Sequence, residues 1–395
     1  MRVIFYNLHT NGFYVSTFQD IIFRRKVSTK HKYLIDYLMS KNIKLCCFIS
    51  KKGSTIPFPF NKIFKGKIIR FLECLYVFKK NRFPLKMIEI ITSPSKIKDD
   101  DIILIYPHCT DIFEDFPITT GKKICHLIHF YGTPDETKWI KSVDCGSYLF
   151  DVQLDKYSLL FKKNLLPDFH AKYITHPMIF ENRFISKKTF AERKNKCLAI
   201  GTITFCENQD FIDTYGDSCY QPHRKMIYEH SNELKKYIDN YTSFYNETPL
   251  KKVSSSERFL SKVFKYFYNI KNAGQQKNYF SFNIVEKYNE YRMFICPEDV
   301  NGDYGIGTIE GMACGCAMIG INSGIFEDIG LVSGVHYISY NGTLDDLKEK
   351  ISYWQKEENQ KRLSEIAETG YLFIRDNFNK VVVCSNLYKE FQKLD

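Results

Sequence analysis

The 395-residue sequence contains no apolar run approaching the ~18 residues that a membrane-spanning helix requires. Its opening residues, MRVIFYNLHTNGF, lack the long apolar core and small-residue cleavage site of a secretory leader. They read instead as a first β-strand, in a chain expected to stay in the cytosol. Among 13 cysteines there is no Cys-x-x-Cys pair and no histidine at zinc-finger spacing, so neither a thioredoxin-type redox motif nor a structural zinc site is expected. Scattered and odd in number, these cysteines read as small buried thiols in a reducing compartment. Acidic residues are in deficit, 45 Asp and Glu against 56 Lys and Arg, which leaves a net charge of +11 and points to anionic partners. No short-period repeat is present either.

What the chain does have is alternation. In the first half, strand candidates at 2–8, 44–50, 101–106, 122–130, 146–153 and 171–179 are separated by helical stretches. One of these, 30–41, places Tyr33, Leu34, Tyr37 and Leu38 on a single face. The polar, charged run ENRFISKKTFAERKNK (181–196) reads as a linker. A second series follows: strand 197–204, helix 222–241, strand 291–298, helix 306–314, strand 316–321, helix 344–357 opened by Thr343 as its cap, and helical sequence to the end. Strands alternating with helices imply parallel sheets covered on both faces, with ligands at the carboxyl ends of the strands. The expected fold class is α/β, with two Rossmann-like, doubly wound domains facing across a cleft.

The chemistry concentrates in PEDVNGDYGIGTIEGMACGCAMIG (297–320). A strand ends near Glu298, and a loop with Gly302, Gly305 and Gly307 leads into a helix that Gly315 stops. The first turn, Gly305, Ile306, Gly307 and Thr308, offers unpaired backbone N–H groups to a phosphate. Glu310 can accept two hydrogen bonds from ribose hydroxyls.

This segment resembles the donor-binding stretch of retaining glycosyltransferases of the GT-B fold, the family 4 or group 1 type. Their pattern is a glutamate, seven residues, a second glutamate and a small-residue run, and EGMACGCAMIG from Glu310 matches its second half. The resemblance implies that Glu310 grips the donor ribose. The first glutamate would fall at Gly302, where this chain departs from the pattern. Asp303 is the leading substitute for its contact with the donor sugar, with Glu298 and Asp299 as the alternative. The resemblance further implies an N-terminal acceptor-side domain (1–185), a nucleotide-sugar-binding domain (186–375) and a closing helix (376–395) that crosses back to the first domain.

Transfer of a sugar leaves a nucleoside diphosphate, whose growing negative charge calls for cations; the GT-B resemblance implies that they follow the first strand of the second domain. Arg224 and Lys225, at the start of helix 222–241, are the candidates. In the first domain His129 is the candidate polar group at a strand end, with His126 on the same strand and His108 as second choice. His176 is assigned no chemistry, and Gly12 marks a loop where a phosphate could approach.

Two basic, apolar segments stand apart. Residues 61–86 carry many cations and one acid, Glu73. Residues 257–271 place Phe259, Leu260, Val263, Phe264 and Phe267 on one helical face, with Lys262 and Lys265 off it. Such a helix either packs on a core or lies on an anionic membrane surface. The family resemblance implies metal-independent, cofactor-free transfer of a sugar from a nucleoside-diphosphate sugar to a carbohydrate or lipid-linked acceptor, in surface polysaccharide or glycan synthesis. A DNA-modifying glucosyltransferase, a nucleotide-sugar epimerase and a non-catalytic nucleotide-sugar-binding module are the rivals. Nucleic acid is not an expected partner.

Overall fold

The computed structural model describes residues 1–6, 29–48, 82–91, 93–105, 120–127, 147–150, 172–244, 258–273, 282–297, 299–300 and 304–394, with isolated positions 75, 79, 133, 134 and 138. Two parallel sheets organise the chain. The first has seven strands: β1 (Val3–Tyr6), β2 (Leu45–Phe48), β3 (Ile88–Ile91), β4 (Ile102–Ile105), β5 (Lys122–Leu127), β6 (Ser147–Phe150) and β7 (Lys172–Thr175), in the order 3-2-1-4-5-6-7. Strands such as IILI in β4, buried at every position, are the continuous apolar runs that a sheet covered on both faces demands. The edge strand β3 was not among the strands expected from the sequence. It is four residues long, and its pairing with β2 defines it.

Helix α1 (Thr29–Ser40) packs beside this sheet. Its buried stripe is Leu34, Ile35, Leu38 and Met39 rather than the Tyr33–Leu38 face expected from periodicity. Tyr33 and Tyr37 are half-buried because another element covers them, as described below.

The second sheet has five strands: β8 (Lys194–Ile203), β9 (Ile238–Phe244), β10 (Tyr291–Ile295), β11 (Ala317–Ile321) and β12 (Ile338–Tyr340), in the order 12-11-10-8-9. Around it lie α2 (Gln209–Tyr215), α3 (Pro222–Glu229), α4 (Phe259–Ala273), α5 (Ile284–Glu290), α6 (Ile306–Ala313), α7 (Ile325–Asp328), α8 (Leu344–Gln355) and α9 (Gln360–Asn377). The helix expected over 222–241 breaks after Glu229; a short helical turn, Ser231–Leu234, follows, and only the last four residues of the expected helix enter a strand, β9. Asp239 explains part of the difference: it accepts hydrogen bonds from Lys196 Nζ (2.8 Å) and Tyr291 Oη (2.7 Å), tertiary partners that a helix would forfeit. Helix α6 sits tightly on the sheet because Gly311 has no side chain; a Cβ there would lie 2.5 Å from the Phe294 ring. Gly315, at φ +78°, ends α6, and Thr343 caps α8 by accepting from the Asp346 N–H.

The stretch expected as a linker is stitched down. Arg193 is buried and donates to the carbonyls of Lys188 (3.0 Å) and Cys314 (2.8 Å) and to Ser186 Oγ (2.8 Å). A guanidinium at the carboxyl end of α6 also meets the negative end of the helix dipole. The chain crosses between the sheets twice. Residues 176–184 make the first crossing. The second runs from α9 into α10 (Lys380–Gln392), which covers α1: Lys380 lies over the Tyr33 ring at 5.2 Å, and the Tyr37 and Tyr388 rings are 6.1 Å apart. The crossings touch, since Arg375 Nη1 donates to the Phe184 carbonyl at 3.0 Å and stacks over Phe180 at 5.0 Å.

Candidate functional site

In a doubly wound sheet the binding crevice opens where the strand order reverses, at the carboxyl ends of the two diverging strands. In the second sheet those strands are β8 and β10. Arg224, in the first turn of α3, fills that position. Its Nη1 donates to the Thr202 carbonyl and its Nη2 to the Pro297 carbonyl, each at 3.1 Å, so one guanidinium bridges the two strand ends. Two glycines admit it. A Cβ at Gly201, whose φ is +147°, would lie 2.9 Å from Arg224 Cδ and Nε, and one at Gly305 would lie 3.3 Å from Nη2. Asp299 Oδ1 stands 3.9 Å away. The guanidinium has five N–H donors and the two carbonyls use two of them. Its Nε is buried with no hydrogen-bond partner among the described residues.

Gly305 is also the N-cap of α6, with no side chain to satisfy the first-turn N–H groups. The positive end of this helix therefore lies against the Arg224 guanidinium. The hydroxyls of Thr308, in the same turn, and of Thr202 are buried without partners among the described residues. Unpaired buried polar atoms are uncommon, and three of them gather around these strand ends. Ile306 is exposed at the helix start. Gly307 has a packing role: a Cβ there would lie 2.8 Å from Cys296 Sγ and 3.1 Å from Tyr288 Oη, so this glycine faces the protein interior.

Glu310, one turn further along α6, is half-buried. Burial pushes its carboxyl up to about 8; Arg183 pulls it down and Glu181 adds to the rise. Arg183 and Glu181 form an ion pair of 3.1 Å on the first crossing. Glu181 also acts on Tyr33 of α1, whose hydroxyl is raised chiefly by burial. Glu310 thus lies within electrostatic reach of the first crossing.

Lys225 diverges from Arg224, as consecutive helical residues must. Its Nζ lies 3.9 Å from Asp217 and 5.9 Å from the Phe205 ring centroid, at the margin of the crevice. The structure therefore brings Arg224 against the turn that holds Gly305, Ile306, Gly307 and Thr308, places Glu310 further along the same helix, and turns Lys225 aside. His129, His108, Gly12, Gly302, Asp303 and Glu298 lie outside the described residues, as does the side chain of His126. His176 is fully buried.

Gln221 was missed by sequence reasoning. It accepts from Thr204 N–H and Oγ1, both at 2.9 Å, and donates to Asp299 Oδ1 at 3.1 Å, tying the loop after β8 to the loop after β10. The one sequence signal was its place just before Pro222, at a helix start. Among the described residues no three His, Cys, Asp or Glu side chains gather as metal ligands. Of the cysteines whose side chains are described, Cys46, Cys125, Cys197, Cys219, Cys314, Cys316 and Cys384 are buried, and burial pushes Cys46 and Cys316 up to about 12.

No family model matches the chain, and no curated protein matches it by sequence. Solved structures do. A sucrose-phosphate synthase from Thermosynechococcus elongatus aligns over 100% of this chain and 99% of its own, at 10% identity and a TM-score of 0.54. HepE of Anabaena, solved with UDP, aligns over 100% of both chains, again at 10% identity and a TM-score of 0.54. A glycosyltransferase from Rickettsia africae aligns over 100% and 98%, at 12% identity and a TM-score of 0.55. The likeness is one of fold and it runs the length of the chain: two parallel sheets, each doubly wound, with a closing helix returned to the first, make this the GT-B fold of those glycosyltransferases.

Proposed function

We propose that the chain is a glycosyltransferase that moves a sugar from a nucleoside-diphosphate sugar to an acceptor hydroxyl, in surface polysaccharide or glycan synthesis. The observation that carries this reading is the Arg224 guanidinium at the strand-order reversal, admitted by Gly201 and Gly305 and set against the uncapped start of α6. The GT-B fold supports it, and so does the UDP bound in HepE.

In this reading the donor diphosphate lies on the first turn of α6. Arg224 and the helix dipole stabilise the charge that grows on the leaving oxygen, as preorganised donors do best. The carbonyls of Thr202 and Pro297 hold the guanidinium in place before the donor arrives. Thr308 Oγ1 is available to a phosphate oxygen after a small movement of the turn. Glu310 accepts from the ribose hydroxyls. Asp303 serves the donor sugar and His129 the first domain's side of the cleft. Lys225 contributes long-range charge. Bringing donor and acceptor together between the two sheets supplies orientation and excludes water. Retention of the anomeric configuration and independence from metal belong to the proposal through the family 4 resemblance at Glu310.

The test is a thermal-shift screen against UDP-, GDP-, ADP- and CMP-linked sugars with EDTA present. Stabilisation by one donor class, lost in Arg224→Ala and Glu310→Ala, is the expected result; indifference to every donor overturns the proposal.

A further inference from the structure

Helix α4 presents its apolar stripe to solvent. Leu260, Phe264 and Phe267 are 79%, 74% and 55% exposed, while Lys262, on the same helix, is buried. Positions i, i+4 and i+7 fall on one face, so the three side chains form a single ridge. Large apolar residues clustered on a surface mark a site that something else covers. Packing on the chain's own core, one of the two roles open to this helix from its sequence, does not describe these three residues.

The charge around the ridge selects the occupant. Arg258, just before the helix, is exposed and Lys265, on it, is half-buried; in sequence, residues 251–277 carry seven cations, Lys251, Lys252, Arg258, Lys262, Lys265, Lys271 and Lys277, against one acid, Glu257. A second copy of the chain docked ridge to ridge would bring two such clusters together, and like charges at close range oppose association. An anionic lipid surface meets both features at once: it attracts the cations, and its headgroup–acyl boundary receives the apolar side chains. We propose that the outward face of α4 docks the protein on an anionic membrane. No helix among the described residues is long and apolar enough to cross a membrane, so the contact is peripheral. The proposal stands independently of the donor reading.

Sedimentation of the full chain with sucrose-loaded vesicles tests it. Vesicles of phosphatidylcholine with one quarter phosphatidylglycerol are expected to carry down at least about fivefold more protein than phosphatidylcholine alone, with the excess falling as salt is raised. The triple variant Leu260→Ser, Phe264→Ser, Phe267→Ser is expected to lose that excess while keeping the wild-type melting temperature, since all three side chains are exposed. As a second measurement, Phe264→Trp is expected to add blue-shifted emission when anionic vesicles are introduced. Wild-type protein that stays in the supernatant, that binds both vesicles equally, or that is matched by the triple variant overturns the proposal. So does light scattering that finds a dimer which the triple variant dissolves, because the ridge is then an interface between copies.

Discussion

Glu310 offers the sharpest test of the donor site, because its two expected pH effects have opposite signs. Burial pushes its carboxyl up to about 8, well above an ordinary glutamate. Between roughly pH 4.3 and 8 the folded protein therefore holds a proton that the unfolded chain has released. The stability this group contributes is fully present below about pH 4.3 and is lost as pH rises through about 8. Donor binding runs the other way. A ribose diol donates its hydrogen bonds to the ionised carboxylate, so the affinity follows the ionised fraction. With a midpoint of about 8 that fraction rises about 25-fold between pH 6.5 and 8.5. Titration calorimetry with the sugar nucleotide, in two buffers of different ionisation enthalpy, reads both affinity and proton release. At pH 7 the wild type is expected to release about 0.9 proton per donor bound. Glu310→Gln is expected to release none, to bind with no pH dependence, and to be weaker than wild type by about 10- to 100-fold at pH 8.5, the loss of one to two charge-assisted hydrogen bonds. Its unfolding free energy should also fall less between pH 5 and 8.5 than that of the wild type. A wild-type affinity that is flat across this range without proton release would remove Glu310 from the donor site.

Three further outcomes follow from the packing. Arg224→Lys is expected to keep the fold yet lose at least about tenfold in kcat/KM, because an ammonium cannot bridge the Thr202 and Pro297 carbonyls as a planar fork does; a steady-state assay within threefold of wild type refutes this. Gly201→Ala sets a Cβ 2.9 Å from Arg224 Cδ in a backbone conformation at φ +147°, so it should abolish donor-induced thermal stabilisation and lower the melting temperature of the free protein. Gly311→Ala drives a methyl into the Phe294 ring and is expected to cost about 1–3 kcal/mol in urea unfolding. Donor affinity should be unchanged in those Gly311→Ala molecules that remain folded.

The sequence carries the alternation of strands and helices plainly, because each buried parallel strand must be a short apolar run. It hides β9, whose residues IDNYTSF mix polar and apolar positions and become a strand through partners such as Lys196 and Tyr291. It also leaves β3 unmarked: IEII is only four residues long, and its pairing with β2 defines it. At the candidate site, Glu310 and the turn from Gly305 to Thr308 are easy to single out because they are contiguous. The place of Arg224 is not, since Gly201 and Gly305, which make room for it, stand 23 residues before it and 81 after it. The pairing of Arg224 with Lys225 failed on helical geometry, which sends neighbours in sequence in different directions. Helix α4 ran against expectation in orientation, with a lysine inward and phenylalanines outward.

The two crossings between the sheets, at 176–184 and from α9 into α10, lie side by side and are riveted by Arg375 on the Phe184 carbonyl and the Phe180 ring. A body held by one flexible strap can swivel about any direction. A body held by two adjacent straps keeps one easy degree of freedom, rotation about the line through both. Glu181 and Arg183, the ion pair that bears on the Glu310 carboxyl, belong to the first of these straps. A turn about that line would shift α6 relative to the strap that carries this pair, so the electrostatic surroundings of the Glu310 carboxyl would change with the angle between the halves.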